Sequence, residues 1–257
     1  MPAHDLPLLI EAARAAGDLA CRYSGSNTER WDKPGGAGPV TEADIAVNDL
    51  LDHHLRGARP DYGWLSEESK DTPDRLSAQR VFIIDPIDGT RSFIEGSRTW
   101  AHSIAVAEQG RVTAAVIYLP QRDKLYAAAA GQGATLNGAA IRTSARTDLT
   151  GAQMLAARPT DDAKNWQADV PDYTRAYRPS LAYRLSLVAE GKFDAMLTLR
   201  KTWEWDIAAG DLILREAGAV ASDRAAQPLL FNNPTPKLDG VVAANPALHA
   251  AITGALA

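Results

Sequence analysis

Four apolar side chains in succession, Val81-Phe82-Ile83-Ile84, leave a strand no face to show to water, so the sheet that holds it must be covered on both sides. Burying such a strand takes layers of structure above and below it, and a chain of 257 residues, 46% of them hydrophobic, can supply those layers. That length predicts one large domain or two tightly joined halves. Disordered, collagen-like and small disulfide-stapled classes are excluded.

Charge narrows the function classes. The 27 basic and 32 acidic side chains leave a net charge of −5 with no basic block, which argues against a nucleic-acid polymer as partner. A small anionic substrate stays compatible with this balance if metal ions supply positive charge. Cys21 is the single cysteine, so no intramolecular disulfide or thiolate zinc site can form, in keeping with a reducing compartment. His4, Asp5, Glu11 and Arg14 interrupt the N-terminal segment where a signal peptide would run apolar. No stretch approaches the length of a membrane span, and the expected location is the cytoplasm.

Periodicity predicts a helix from about Pro7, on Leu8, Leu9, Ala12, Ala16 and Leu19, ending near Tyr23-Ser24-Gly25. After a Gly/Pro-rich loop from Lys33 to Pro39, a second helix carries Val47, Leu50, Leu51, His54 and Leu55. Strands are expected at Tyr62 to Leu65 and Val81 to Ile84. An antiparallel meander follows at Ile104 to Val106, Val112 to Leu119 and Leu125 to Ala129. The polar stretch from Ser144 to Gly151 reads as a joint between subdomains 1–145 and 146–257. Beyond it come a strand at Leu155 to Ala157, a helix at Leu181 to Ala189, a strand at Phe193 to Leu199 and a helix from Asp206 to Ala217. The fold class is a layered α/β arrangement, an antiparallel sheet half followed by an α/β half.

Five acidic residues stand at element boundaries, where a side chain can reach a shared cleft: Asp44, Glu67, Asp85, Asp88 and Asp206. In Asp85-Pro86-Ile87-Asp88-Gly89-Thr90, Pro86 is expected to end the strand, placing two carboxylates and the Ile87 carbonyl on one tight turn. Such oxygen donors suit a hard cation such as magnesium. An EF-hand is ruled out, because the twelfth residue from Asp85 is Gly96 rather than Glu. Backbone N–H groups after Gly89 can grip a phosphate. Each acid also has a plain structural reading. Thr41-Glu42-Ala43-Asp44 has the form of a capping box, Asp206 that of an N-cap, Glu67 and Glu68 that of solvated loop acids, and the Asp85–Asp88 turn that of a strand end.

Taken together, Val40-Thr41-Glu42-Ala43-Asp44, Ser66-Glu67-Glu68-Ser69, Asp85-Pro86-Ile87-Asp88-Gly89-Thr90 with Phe93, and Trp205-Asp206-Ile207-Ala208-Ala209-Gly210 resemble the inositol monophosphatase superfamily in order and spacing. Gly133-Ala134 and Asn137-Gly138 match its hairpin between the halves. The resemblance implies a sugar-phosphatase fold, a homodimer, and magnesium-dependent, lithium-sensitive phosphatase chemistry with two or three Mg2+ ions per site. It assigns Glu67, Asp85 and the Ile87 carbonyl to one metal, and Asp85, Asp88 and Asp206 to another. A third ion would be held by Glu67 and water. Glu67 and Thr90 would position and deprotonate a metal-activated water, with Asp44 hydrogen-bonded to Thr90. Asp88, Gly89, Thr90, Ser180 and Arg184 would contact a small-molecule phosphate ester. Lys33 falls where the family keeps a lysine in a mobile loop, and is otherwise a surface lysine.

Within that superfamily, Pro179-Ser180-Leu181-Ala182-Tyr183-Arg184 and Leu187-Val188-Ala189-Glu190-Gly191 look most like the 3'(2'),5'-bisphosphate nucleotidases. Arg184, backed by Arg178, Arg200 and Lys201, would meet a second phosphate; a solvated helix face is the alternative for each. Inositol-1-monophosphatase ranks second. Histidinol-phosphate phosphatase, echoed in Ser92-Phe93-Ile94-Glu95-Gly96 and Trp100, ranks third. A catalytically inactive anion-binding regulator is the alternative outside enzymes, and it would predict a broken acidic constellation. Mononucleotide loops, nucleophile elbows and dinucleotide fingerprints are absent, and His53 and His54 are adjacent rather than spaced as a zinc pair.

Overall fold

The computed structural model describes residues 5–23, 28–33, 35 and 38–257. Ser24 and Gly25, at the predicted end of the first helix, lie outside the described residues, as do Pro34, Gly36 and Ala37 of the loop predicted after Lys33. Helix α1 (Leu6–Tyr23) and the antiparallel pair β1 (Arg30–Asp32) and β2 (Pro39–Thr41) precede helix α2 (Glu42–Ala58). Thr41 caps α2 in the predicted capping box with Asp44.

The large sheet follows. Its strands are β3 (Gly63–Ser66), β4 (Arg80–Asp88), β5 (Ala101–Glu108), β6 (Arg111–Leu119), β7 (Lys124–Ala129), β8 (Ala134–Leu136) and β9 (Ala139–Ala140). They lie side by side in that order, with the short helix α3 (Thr90–Ile94) between β4 and β5. The meander is antiparallel as expected, except that β3 joins β4 in parallel. In the second half come β10 (Gln153–Ala156), β11 (Thr174–Ala176), helix α4 (Leu181–Ala189), β12 (Ala195–Thr198), β13 (Thr202–Trp203) and helix α5 (Glu204–Glu216). The chain closes with β14 (Val220–Ser222), β15 (Lys237–Leu238), β16 (Val241–Ala244) and helix α6 (Pro246–Ala255). A five-stranded sheet runs β11-β10-β12-β16-β14, and β13 pairs with β15.

Three clusters of buried side chains stack these elements into five layers. Phe82, Ile84, Ile104 and Val116 pack under α1 and α2. Val81, Ile83, Ala105 and Ile117 face α4 and α5, whose far side meets Leu155, Met196 and Val241 of the smaller sheet. Met154, Leu197 and Val242 then pack against Leu248 and Ile252 of α6. The apolar run in β4 is thus covered on both faces, each of its large side chains contributing about 1.5–3 kcal/mol by burial.

Two local expectations are corrected. Pro86 does not end its strand: β4 runs on to Asp88 through a bulge in which Asp85 faces Ser103 and Asp88 faces Ala101. Two residues, Pro86 and Ile87, therefore oppose His102 alone, and a proline without an N–H is tolerated where the ladder is already broken. Asp206 is not an N-cap, because α5 begins at Glu204 and places Asp206 inside its first turn.

Helices α4 and α5 meet closely at Gly210. A Cβ there would stand 2.3 Å from Leu185 Cδ1 and 2.7 Å from Leu185 Cβ, and Leu185 is itself buried. Gly210→Ala should therefore destabilise the fold by about 1–3 kcal/mol in urea unfolding, although alanine favours helix by about 1 kcal/mol. A neutral or stabilising change would show that Leu185 has room to yield.

Candidate active site

The bulge in β4 determines the site's geometry. It turns the Asp85 carboxylate, the Ile87 carbonyl and Asp88 toward a cavity of about 380 Å³, which is also lined by Glu67, Gly89, Thr90, Arg91, Tyr177, Arg184, Arg200 and Asp206. Gly89, directly after the bulge, has φ of +99°, a conformation that side-chain-bearing residues rarely adopt. Carboxylate oxygens of Glu67, Asp85 and Asp206 lie within 4.8 Å of one another. Three chain segments far apart in sequence thus converge on one point: the loop after β3, the end of β4 and the first turn of α5.

Asp88 is held differently. Its Oδ2 accepts hydrogen bonds from Ser180 Oγ and from the Ala182 N–H, both at 2.6 Å, at the N-terminus of α4. Ser180 also caps that helix by accepting from the Tyr183 N–H at 3.0 Å. It is fully buried and does not line the cavity, so its bearing on a ligand runs through Asp88. Arg184 does line the cavity, but its Nε and Nη2 donate to the carbonyls of Arg178 and Pro179, and its guanidinium lies 4.4 Å from the centre of the Tyr177 ring.

Thr90 Oγ1 lies 3.2 Å from both Asp44 Oδ1 and the Ile87 carbonyl, so its one proton is directed between them. Asp44 Oδ2 is meanwhile tied to the Thr41 N–H at 2.8 Å and the Thr41 hydroxyl at 2.6 Å. Asp44 therefore both closes the capping box that Thr41 opens at the start of α2 and partners Thr90. Lys33 is no surface lysine: its Nζ bridges Glu67 Oε1 at 2.7 Å and Glu68 Oε1 at 2.6 Å.

Crowding of negative charge shows in the acidities. Burial, followed by repulsion from Glu67 and Asp88, holds the Asp85 carboxyl well above the usual range. Asp206 is raised likewise, by burial and by Asp88. Burial pushes Asp44 and Asp88 up to about 6 and Glu68 up to about 7 against the pull of Lys33. Asp85 Oδ1 is buried without a hydrogen-bond partner among the described residues. A cluster of hard oxygen donors, one of them orphaned, fits a divalent cation.

Sequence reasoning missed Arg91, Tyr177 and Thr198 in the cavity wall, because none is marked by a motif and Tyr177 and Thr198 sit at the ends of β11 and β12. It also left unread the link of Lys33 to both glutamates, which needs Lys33, just after β1, brought beside the loop after β3.

The model of the inositol monophosphatase family matches residues 3–257. The inositol-1-monophosphatase of Mesorhizobium japonicum is 33% identical over 98% of this chain and 95% of its own length. Nus factor SuhB of Escherichia coli is 33% identical over 85% of this chain and 84% of its own. Among solved structures, the extragenic suppressor protein SuhB from Bartonella henselae superposes with a TM-score of 0.82 at 30% identity, covering 96% of both chains. No helix among the described residues is long and apolar enough to cross a membrane.

The upward shift of these carboxyls makes the site's response to pH testable. In the folded, metal-free protein these carboxyls keep protons that the unfolded chain has already lost. The stability they contribute is complete below the ordinary carboxylate range and is lost as pH rises through about 6 for Asp44 and Asp88 and about 7 for Glu68. Added magnesium should then raise Tm more at about pH 8 than at about pH 5, and should release protons on binding. A larger magnesium-induced rise in Tm at the acidic end would contradict this assignment.

Proposed function

The chain belongs to the inositol monophosphatase family of phosphatases, and on that footing we propose that it is a Mg2+-dependent phosphomonoesterase that hydrolyses a small phosphate ester by direct attack of water. The observation that carries the reading is the convergence of Glu67, Asp85 and Asp206 within 4.8 Å at the wall of an open cavity. Divalent ions bound there would neutralise the ester's charge and bring the acidity of a water into the neutral range.

The protein's own groups divide the remaining work. Glu67, Asp85, the Ile87 carbonyl, Asp88 and Asp206 are the proposed metal ligands. The Thr90 hydroxyl, its proton directed at Asp44 and the Ile87 carbonyl, would pass that proton to the Asp44 carboxylate as it takes one from the attacking water, and the leaving alkoxide would take its proton from a second water. Glu67, at the other side of the same wall, orients that water. Asp44 fixes the Thr90 rotamer, while Gly89 and Thr90 supply backbone N–H groups for the phosphate oxygens. No covalent phosphoenzyme is needed.

Adenosine 3',5'-bisphosphate is our first substrate. Arg91, Arg184 and Arg200 line the cavity, and among the described residues none of the three forms an ion pair with a carboxylate. Arg184 is attracted to Asp88 and Arg200 to Asp206; with divalent ions on those carboxylates, the arginines would favour a leaving group that is itself anionic. Inositol 1-phosphate is the second reading, favoured by the kinship with the Mesorhizobium inositol-1-monophosphatase. The same proposal takes residues 1–145 and 146–257 as two subdomains meeting at the site, since the large sheet ends at Ala140 and the small one starts at Gln153. It also takes the protein as a lithium-sensitive homodimer acting in the cytoplasm.

Phosphate release from adenosine 3',5'-bisphosphate, inositol 1-phosphate and histidinol phosphate, assayed in parallel with magnesium and with lithium added, tests the reading. The bisphosphate should lead in kcat/KM, and Asp85→Asn should cost more than the roughly 10–100-fold typical of changes outside the ligand sphere. Arg200→Gln should narrow the lead of the bisphosphate without lowering the rate on inositol 1-phosphate. Preference for inositol or histidinol phosphate would keep the chemistry and change the substrate. Absence of magnesium-dependent release from all three would point to an anion-binding regulator instead.

A further inference from the structure

Two neighbouring residues of β5, His102 and Ser103, hold the two elements that bring the acidic ligands together. They are fully buried, and because successive side chains of a strand point to opposite faces they reach in opposite directions. The His102 ring meets the Pro86 carbonyl through Nδ1. The Ser103 hydroxyl donates to the Trp205 carbonyl at 2.8 Å, one residue before Asp206. His102 thus grips the bulge that carries Asp85 and Ile87, while Ser103, which itself faces Asp85 across the ladder, grips the first turn of α5.

The histidine's chemistry is specific to this task. A carbonyl only accepts, so Nδ1 must carry the proton, and the neutral ring then presents a bare Nε2. That Nε2 is buried without a partner among the described residues, an unfavourable state that an apolar side chain would avoid. The ring lies edge-on to Trp100, centroids 5.4 Å apart, with Tyr118 at 6.4 Å, so it has little freedom to turn away. The register shift takes Pro86 out of the β4–β5 pairing, and Nδ1–H replaces the partner that β5 would otherwise have given its carbonyl.

From this geometry we infer that His102 and Ser103 are positioning residues, a two-sided clamp that sets the spacing between the Asp85–Ile87 turn and Asp206 and thereby the affinity of the site for a divalent cation. The inference rests on the metal-dependent reading given above. Neither residue touches the ion or the ester; both act through the backbone of the ligands' neighbours.

Binding of Mn2+ to the metal-free full-length protein, followed by electron paramagnetic resonance, tests the clamp without reference to catalysis. His102→Leu and Ser103→Ala should each weaken Mn2+ binding by about 10–100-fold and raise the magnesium needed for half-maximal activity by a similar factor, with activity regained at higher magnesium. His102→Asn, which keeps an N–H donor, should recover part of the affinity. Near-native Mn2+ affinity in folded His102→Leu and Ser103→Ala would overturn the clamp. If His102→Leu does not fold, Ser103→Ala decides the matter, because native Mn2+ affinity in that variant would be equally fatal. Failure of the unmutated protein itself to bind Mn2+ would instead remove the metal-dependent reading, and the clamp with it.

Discussion

Carboxylates repel one another most strongly where water is scarce, and this fold brings five of them to one place. Asp44, Asp85 and Asp88 are buried, and Glu67 and Asp206 partly so. Charges so placed are costly unless something compensates them. The upward shifts of Asp85 and Asp206 register that cost, and much of the neighbouring architecture can be understood as its compensation.

Helix ends are one part of that compensation. Asp44 lies in the first turn of α2, Asp206 in the first turn of α5, and Asp88 accepts from the first N–H groups of α4. Each carboxylate therefore meets the partly positive end of a helix, worth about 0.3–1 kcal/mol apiece in exposed settings. Lys33 is another part, its ammonium shared between Glu67 and Glu68. These contributions soften the repulsion without neutralising it: Asp85, the acid nearest the centre, receives neither a helix end nor a lysine and keeps an orphaned oxygen. The layered fold brings the helix starts and the broken strand end to a common edge, which is why the site sits there.

What was legible in the sequence follows from how local each feature is. Helix α4 has the predicted bounds, Leu181 to Ala189, because its N-cap serine and the Gly191 beyond its end are local signals. The capping box of α2 and the doubly covered β4 were readable for the same reason. Pro86 misled because proline's usual effect on a strand is overridden when a bulge has already removed the need for its N–H. Asp206 misled because Trp203, not an obvious capping residue, precedes the helix. The strand β3 was legible but its parallel pairing with β4 was not, because pairing is decided by a partner distant in sequence; α6 went unread although Asn245 and Pro246 mark its start. The acidic residues were legible as candidates, but their 4.8 Å convergence belongs to the tertiary fold.

The cavity that results is dipolar: acids on one wall, and Arg91, Arg184 and Arg200 on others. An anionic ester is repelled by the first wall and attracted by the rest until cations reverse the sign at the acids. Occupancy of the acidic wall and binding of the ester are therefore linked, each raising the affinity for the other. On the proposed reading the arginines would also act before the chemistry, orienting a substrate with a second anionic group even while its reacting phosphate is held off. Arg184 suits this role by being immobile, its guanidinium hydrogen-bonded to two backbone carbonyls and stacked on Tyr177. Arg91 and Arg200, both exposed beside the cavity, can still rearrange around what arrives. On the proposed reading a fixed cation beside movable ones would give the site a reference point and a means of adjustment, and through that asymmetry the arginines would select among esters that the acidic residues treat alike.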